Sequence, residues 1–300
     1  MFRLLRLLFL LLIPVSVYSQ DGGDDDGIKP LNKKGFQMGI AFGSYFANKY
    51  TADAYDGWGY DLDANRITDF NQSWMYQKIV MVYGGGYGFT DQIAAALNVN
   101  HSDWSFSQTD MPINMHYRPA FVFGLNCRYS VDGKNGIVIN LNMAKIYADG
   151  NFTIQTLPPT GSTQINNSVR TYSIRGQEQR MFIQLGYNRV FGKGERVKPL
   201  LEGGLNMTYS QFDKDEIQIE SLHINLLEFY DRNGIQQGYV KKPRGWGLGA
   251  YAGIGLNFAM NDKFLVQVLY CPSYEGIAIG ANQELKFQNA INFRAYYNFL

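Results

Sequence analysis

The sequence predicts an all-β fold: a transmembrane antiparallel up-and-down β-barrel of about ten strands, with short turns on one side and long loops on the other. Three observations predict it. Apolar residues recur with a period of two along segment after segment, the repeat of a strand. Beyond the first nineteen residues no apolar run approaches the ~20 residues that a membrane helix needs. The composition is 15% aromatic with 32 glycines and only 18% charged residues, which suits a wall set between lipid and a narrow interior.

Residues 1–19 read as an export signal. Arg3 and Arg6 supply a basic start, "LLFLLLIPV" a short apolar stretch, and "VYS" before Gln20 a cleavage-like end. Residues 20–35, with the Asp cluster at 24–26, read as a flexible lead and solvated linker, and the barrel is expected over 36–300. Lys and Arg number 27 against 26 for Asp and Glu, a balance that implies no nucleic-acid partner. Cys127 and Cys271 fall on strands far apart in the order, so two unpaired thiols facing lipid or the rim are expected rather than a disulfide.

Strands are expected at 36–47, 74–89, 93–105, 116–130, 136–149, 174–191, 198–212, 244–259, 263–275 and 284–299. In "AFVFGLNCRY", Phe121, Phe123, Leu125, Cys127 and Tyr129 oppose Ala120, Val122, Gly124, Asn126 and Arg128. In "KIVMVYGGGYGF", Ile79, Met81, Tyr83, Tyr87 and Phe89 oppose Val80, Val82, Gly84, Gly86 and Gly88. "GWGLGAYAGIGLNF" carries the pattern furthest: Trp246, Leu248, Ile254, Leu256 and Phe258 form the expected lipid-facing row, opposite Gly245, Gly247, Gly249, Gly253 and Gly255. Glycine in a strand costs roughly 0.5–1 kcal/mol relative to alanine, so the glycine row implies a cramped interior that needs the space. A water-washed face would carry many charges; here the second face is mostly Gly, Ala, Asn, Gln and Thr. Tyr83, Tyr87, Tyr129, Tyr187, Trp246, Phe258 and Tyr297 are placed near strand ends, where interfacial girdles belong.

Short connections near 90, at 131–136, 192–196 and 260–262 alternate with longer ones at 48–73, 106–115, 150–173, 213–243 and 276–283. Short turns on the periplasmic side and long extracellular loops are the plan of an outer-membrane barrel, and an even strand number returns both termini to the periplasm. The last strand, "INFRAYYNF", alternates Ile291, Phe293, Ala295, Tyr297 and Phe299 with Asn292, Arg294, Tyr296 and Asn298. An amphipathic closing strand that ends in an aromatic resembles the one that marks outer-membrane barrels for insertion. The mature chain thus resembles the small outer-membrane β-barrel proteins of Gram-negative bacteria, and "SQ" at the cleavage site resembles those of the Bacteroidetes. The resemblance implies an integral outer-membrane location, with outer-membrane lipid as the first partner.

The register places Arg118, Arg128, Arg180, Glu202, Glu284, Lys286 and Arg294 inside the lumen, either as ion pairs that plug it or as the lining of a narrow pore with a cationic bias. Tyr296 and Arg294 should lie beside the glycines of the first strand. No catalytic residue, metal ligand or cofactor is assigned. A hydrolase would need a nucleophile and base in hydrogen-bond reach. The nearest candidate is His101 in "NHSDW", whose neighbours in sequence are Ser102 and, one residue further, Asp103. Asp61, Asp63 and Asn65 have the spacing of a calcium loop's start, but Arg66 and Gln72 stand where glycine and glutamate are needed.

The long loops 48–73 and 213–243 are the expected seat of function. The second is rich in apolar side chains suited to packing against other loops or against another envelope protein. The expected role is a noncatalytic accessory or binding component at the cell surface, with a secretion or motility assembly as one setting. A narrow passive channel is the alternative and an outer-membrane hydrolase the third reading.

Overall fold

The computed structural model describes residues 34–299 apart from 62, 64, 158–167, 193–195, 231–235, 240–241, 262 and 280–283. The predicted signal and all but the end of the lead lie outside the described residues. Eight long strands form the wall: β1 (Gly35–Phe46), β2 (Ala120–Ser130), β3 (Asn135–Thr156), β4 (Ser168–Val190), β5 (Val197–Ile219), β6 (Arg244–Ala259), β7 (Phe264–Ile277) and β8 (Leu285–Asn298). Each pairs antiparallel with its neighbours in sequence, and β8 returns to pair with β1 from Gln37↔Asn298 to Phe46↔Asn289. The ring therefore closes with no free edge. No described helix is long and apolar enough to cross a membrane.

The outward face is the apolar one. Ile40, Phe123, Leu141, Leu185 and Ile254 are exposed, and Leu205 and Leu248 are each 69% exposed. A continuous belt of this kind far exceeds the scattered apolar exposure of soluble proteins, and a closed barrel is one of the two ways a backbone can cross a bilayer. The chain spans a membrane as a barrel. Trp246, Leu248 and Ile254 are exposed on the belt; Leu256 and Phe258 share their outward phase but are half-buried.

The ring has eight strands, not ten. The segments expected as strands at 74–89 and 93–105 are short helices: an α-turn at Trp74–Tyr76, a π-helical stretch at Gln77–Val82 and an α-helix at Gln92–Leu97. Four consecutive apolar residues, Ile79 to Val82, fit a buried helix as well as a strand. The deciding signals lie at the ends. Ser73 Oγ accepts from Tyr76 N–H, Asp91 Oδ1 accepts from Ala94 N–H at 2.8 Å, and Asn98 takes the left-handed conformation at φ 55° that ends the second helix. Tyr83 and Tyr87 accordingly belong to this helical region and not to a membrane girdle.

Strand length is uneven around the ring. β3, β4 and β5 have 22, 23 and 23 residues, whereas β1 and β2 have 12 and 11. At ~3.3 Å per residue, ten extra residues lengthen one side of the wall by about 30 Å along the strands, as a wing that continues into a short strand at Leu222–Asn225. The region between β1 and β2 folds against the inner face of this wing as a cap. Together they enclose a core that includes Tyr55, Trp74, Met75, Ile79, Phe106, Phe152, Ile174, Phe212, Ile217 and Leu226. Much of the apolar surface of 213–243 is thus buried against the other loops.

Candidate functional site: the lumen and its capped mouth

Eight strands leave an interior about as wide as the side chains that fill it. Near the short-turn end, Glu202 is the hub. Its Oε2 accepts from Arg294 Nη1 at 2.7 Å, and its Oε1 accepts from Tyr251 Oη at 3.0 Å and Asn140 Nδ2 at 3.2 Å. Below it Arg128 donates to Gln37 and Asn188, each at 3.2 Å. Glu202 and Arg294 are almost fully buried, and the charge of each is balanced by the other, with both Glu202 oxygens engaged by donors. Room for a large inward neighbour comes from the adjacent strand: a Cβ added at Gly39 would come within 2.9 Å of Tyr296 Cδ1, its partner in the β1–β8 register. Arg294 itself lies opposite Ala41.

A second layer closes the other end. The Glu178 carboxylate pairs with Arg180 and accepts from Tyr55 Oη at 2.9 Å, Tyr117 Oη at 3.0 Å and Ser210 Oγ at 3.2 Å. Arg180 in turn donates to Tyr45 Oη at 3.1 Å and Thr51 Oγ1 at 3.0 Å. Tyr55 and Thr51 belong to the cap, on a 3₁₀ turn at Lys49–Tyr55 whose first residues are fixed by the Asn48 side chain. The Tyr55 ring lies where a side chain at position 176 would be: a Cβ on Gly176 would collide with Tyr55 Cδ1. Burial, with the nearby Glu178 charge, holds the Tyr55 phenol well above its ordinary pKa, so it stays a neutral donor. Between the layers is a cavity of about 20 Å³ lined by Tyr45, Asn142, Phe182, Asn206 and Ser273, among others, room for about one water molecule. Glu275, also buried, accepts from Asn206 Nδ2 at 2.6 Å and from Ser273 Oγ at 3.2 Å.

Of the seven residues expected in the lumen, the ring encloses Arg128, Arg180, Glu202 and Arg294. Three are elsewhere. Arg118 precedes the wall strand: the chain pairs with the wing at His116–Tyr117 and enters β2 only at Ala120, so Arg118 lies outside, donating to Asp149 at 2.9 Å beside Arg175. Glu284 is exposed at the mouth and pairs with Lys286 at 2.7 Å. Lys286 keeps the inward phase of β8 but sits at the rim, over the Tyr50 ring at 4.4 Å. Sequence reasoning does not single out Glu178, Glu275 and Tyr251; the signal that marks them is the inward strand phase they share with Arg180, Ser273 and Gly253. Both cysteines are free, but Cys271 is buried on the inward side.

The cap carries its own polar groups. His101 Nδ1 lies 2.6 Å from Asp91 Oδ2, which also accepts from Trp104 Nε1 at 2.9 Å, while Asp103 accepts from Asn100. No serine oxygen hydrogen-bonds to a histidine among the described residues. Asp61 is turned back on the backbone N–H groups of Asp63 and Asn65, and Arg66 reaches Asp56. Among the described residues no group of three or more His, Cys, Asp or Glu is arranged to hold a metal ion. Burial pushes Lys78 down to about 8, and holds Asp215, on the inner face of the wing, well above the usual carboxylate range.

No family model matches the chain, and no curated protein matches it. Among solved structures, the chain is similar to Neisserial surface protein A, at TM-score 0.36 and 10% identity, covering 88% of this chain and 96% of that one. It is also similar to Ail, the attachment invasion locus protein of Yersinia pestis, solved in complex with the heparin analogue sucrose octasulfate, at TM-score 0.34 and 12% identity, covering 88% and 99%. A third similarity is to the outer membrane protein OprG from Pseudomonas aeruginosa, at TM-score 0.34 and 9% identity, covering 90% and 96%. Likeness at this level is one of shape, and what the chain does is read from its own residues.

Proposed function

We propose that the protein is an integral outer-membrane barrel, closed to solute flow, whose cap and wing form a noncatalytic binding or accessory surface outside the cell. Both termini then lie in the periplasm, outer-membrane lipid surrounds the belt, and another envelope protein, in a secretion or motility assembly for example, meets the loops. One observation carries the reading: the mouth is occupied by the chain's own cap, with Tyr55 and Thr51 held on the Glu178–Arg180 pair. A pore with that occupant and a second charge layer at Glu202–Arg294 has no continuous water path, whereas a folded cap on a 30 Å wing is far more structure than a turn requires.

Conductance of the refolded barrel in a planar bilayer tests it, once heat-modifiable gel mobility has confirmed folding. A silent membrane is expected. Steady, ion-selective openings that Arg128→Ala or Arg294→Ala alters would overturn the closed-barrel reading in favour of a narrow channel.

A further inference from the structure

The two ends of the barrel differ in charge. At the short-turn end the described cations include Lys34 before β1, Lys134 in the β2–β3 turn, Arg189 on β4, Lys198 at the start of β5, and Lys263 before β7; the described carboxylate there is Asp132. At the long-loop end cations are offset by carboxylates, as where Asp149 sits between Arg118 and Arg175, or where Asp213 faces Lys145 and Lys242. The short-turn cations are spread around the circumference, and all but the half-buried Lys198 are exposed.

They also follow directly on the belt. Phe36, Tyr129, Tyr187, Phe264 and Tyr297 form an exposed aromatic girdle at this end, with Phe264 and Tyr297 in edge contact at 5.2 Å. Arg189 is the next outward residue after Tyr187, Lys263 adjoins Phe264, and Lys34 lies two residues before Phe36. Three residues of strand span no more than about 10 Å, so the cations stand at the depth of the lipid headgroups. Attraction between basic side chains and an anionic leaflet falls off within a Debye length, about 10 Å at 0.1 M salt, and this is the distance at which it acts.

We propose that the short-turn rim docks on anionic phospholipid headgroups of the leaflet it faces, so that those lipids stabilise the inserted barrel in one orientation. The proposal rests on the transmembrane reading but goes beyond it, because a neutral headgroup would satisfy the belt equally well.

The test refolds the full chain into vesicles of phosphatidylcholine alone, or with about a quarter phosphatidylglycerol of the same acyl chains. Gel mobility confirms folding in both, and the urea midpoint is read at about 20 mM and about 500 mM NaCl. The expected result is a higher midpoint with phosphatidylglycerol at low salt that disappears at high salt. The variant Lys34→Gln, Lys134→Gln, Arg189→Gln, Lys263→Gln should lose that gain while matching wild type in phosphatidylcholine. The milder pair Lys34→Gln, Lys263→Gln should lose about half of it, which keeps the test decisive if the larger variant folds poorly. Lys145→Gln, Arg175→Gln, Arg244→Gln at the long-loop end should keep it. No gain in wild type, a gain retained by both rim variants, or a gain lost only in the long-loop variant would overturn the proposal. Failure of wild type to fold in either vesicle would contradict the barrel reading itself.

Discussion

The lower and upper halves of β3, β4 and β5 run on as the same strands, yet their polarity is inverted. On β3, Ile137, Ile139, Leu141 and Met143 point outward and Asn140 and Asn142 inward; further along the strand Ile146, Ala148, Phe152 and Ile154 point inward and Lys145, Asp149, Asn151 and Thr153 outward. The apolar residues thus move from odd to even positions between Met143 and Ile146, while the β3–β4 pairing runs without a slip from Asn135↔Arg189 to Thr156↔Ser168. On β4 the outward set Met181, Ile183, Leu185 and Tyr187 gives way to inward Ile174, and on β5 the outward Leu205 and Met207 give way to inward Phe212, beyond which a β-bulge opposite Gln177 and Glu178 moves the inward positions to Asp215 and Ile217. Because a strand's two faces are fixed by the pleat, the switch along the slip-free β3–β4 ladder means that the solvent changed, not the strand. Below it the outside is lipid and the inside a mostly polar network with small apolar clusters such as Val190, Leu200 and Leu269. Above it the outside is water and the inside a packed core. The outward row Met143–Met181–Tyr209–Trp246, directly followed by Lys145–Gln179–Gln211–Arg244, marks the boundary across four strands.

The largest effect is expected where the two halves meet. Arg180→Ala leaves Glu178 buried without its cation and should destabilise the barrel by about 3–5 kcal/mol, read as a lowered urea midpoint with the cap released to protease. Next, an arginine on the lower outward face, as Leu141→Arg or Ile254→Arg, should cost roughly 2–4 kcal/mol near the bilayer midplane. Ile154→Ala, in the upper inward core, should cost about 2–4 kcal/mol, but from the cap alone: hydrogen exchange should speed up in residues 74–97 while the belt strands stay protected. A smaller effect of opposite sign is expected at Lys78, whose folded pKa of about 8 lies below the ordinary 10.5. The unfolded cap binds the proton more tightly, so stability of the cap should rise as pH rises from 8 towards 10.5, and Lys78→Met should raise it at pH 7 and flatten that rise. The smallest change is expected on the upper outward face, where Thr171→Arg should move the midpoint by less than about 0.5 kcal/mol. If Thr171→Arg proved as damaging as Leu141→Arg, the boundary would be misplaced.

The barrel wall is legible in the sequence because large apolar residues alternating with small or amide ones suit a sheet between lipid and a tight polar interior, and suit a water-washed sheet poorly. "GWGLGAYAGIGLNF" and "INFRAYYNF" show the alternation with hardly an exception. The cap is not legible in the same way, because Ile79–Val82 is apolar on every side and the glycines that follow imitate a strand's small face. Asp91 before "QIAAAL" and Asn98 after it are the available signs of a helix. Arg128, Arg180, Glu202 and Arg294 can be placed from strand phase alone. Their partners cannot, since Tyr55 meets Glu178 across 123 residues and Arg294 meets Glu202 across 92. Strand phase misplaces Arg118 because it carries the alternation through Pro119, where the chain leaves the wing and enters the wall.

The most direct test of the inversion is a spin-label scan of the outward positions of β3, one site at a time from Ile137 to Gln155, with the barrel in lipid vesicles. Accessibility to oxygen, which concentrates in the bilayer, should exceed that to a water-soluble nickel chelate at 137, 139, 141 and 143. The order should reverse from 147 to 155. Oxygen dominating through 155, or the nickel chelate dominating throughout, would contradict the account.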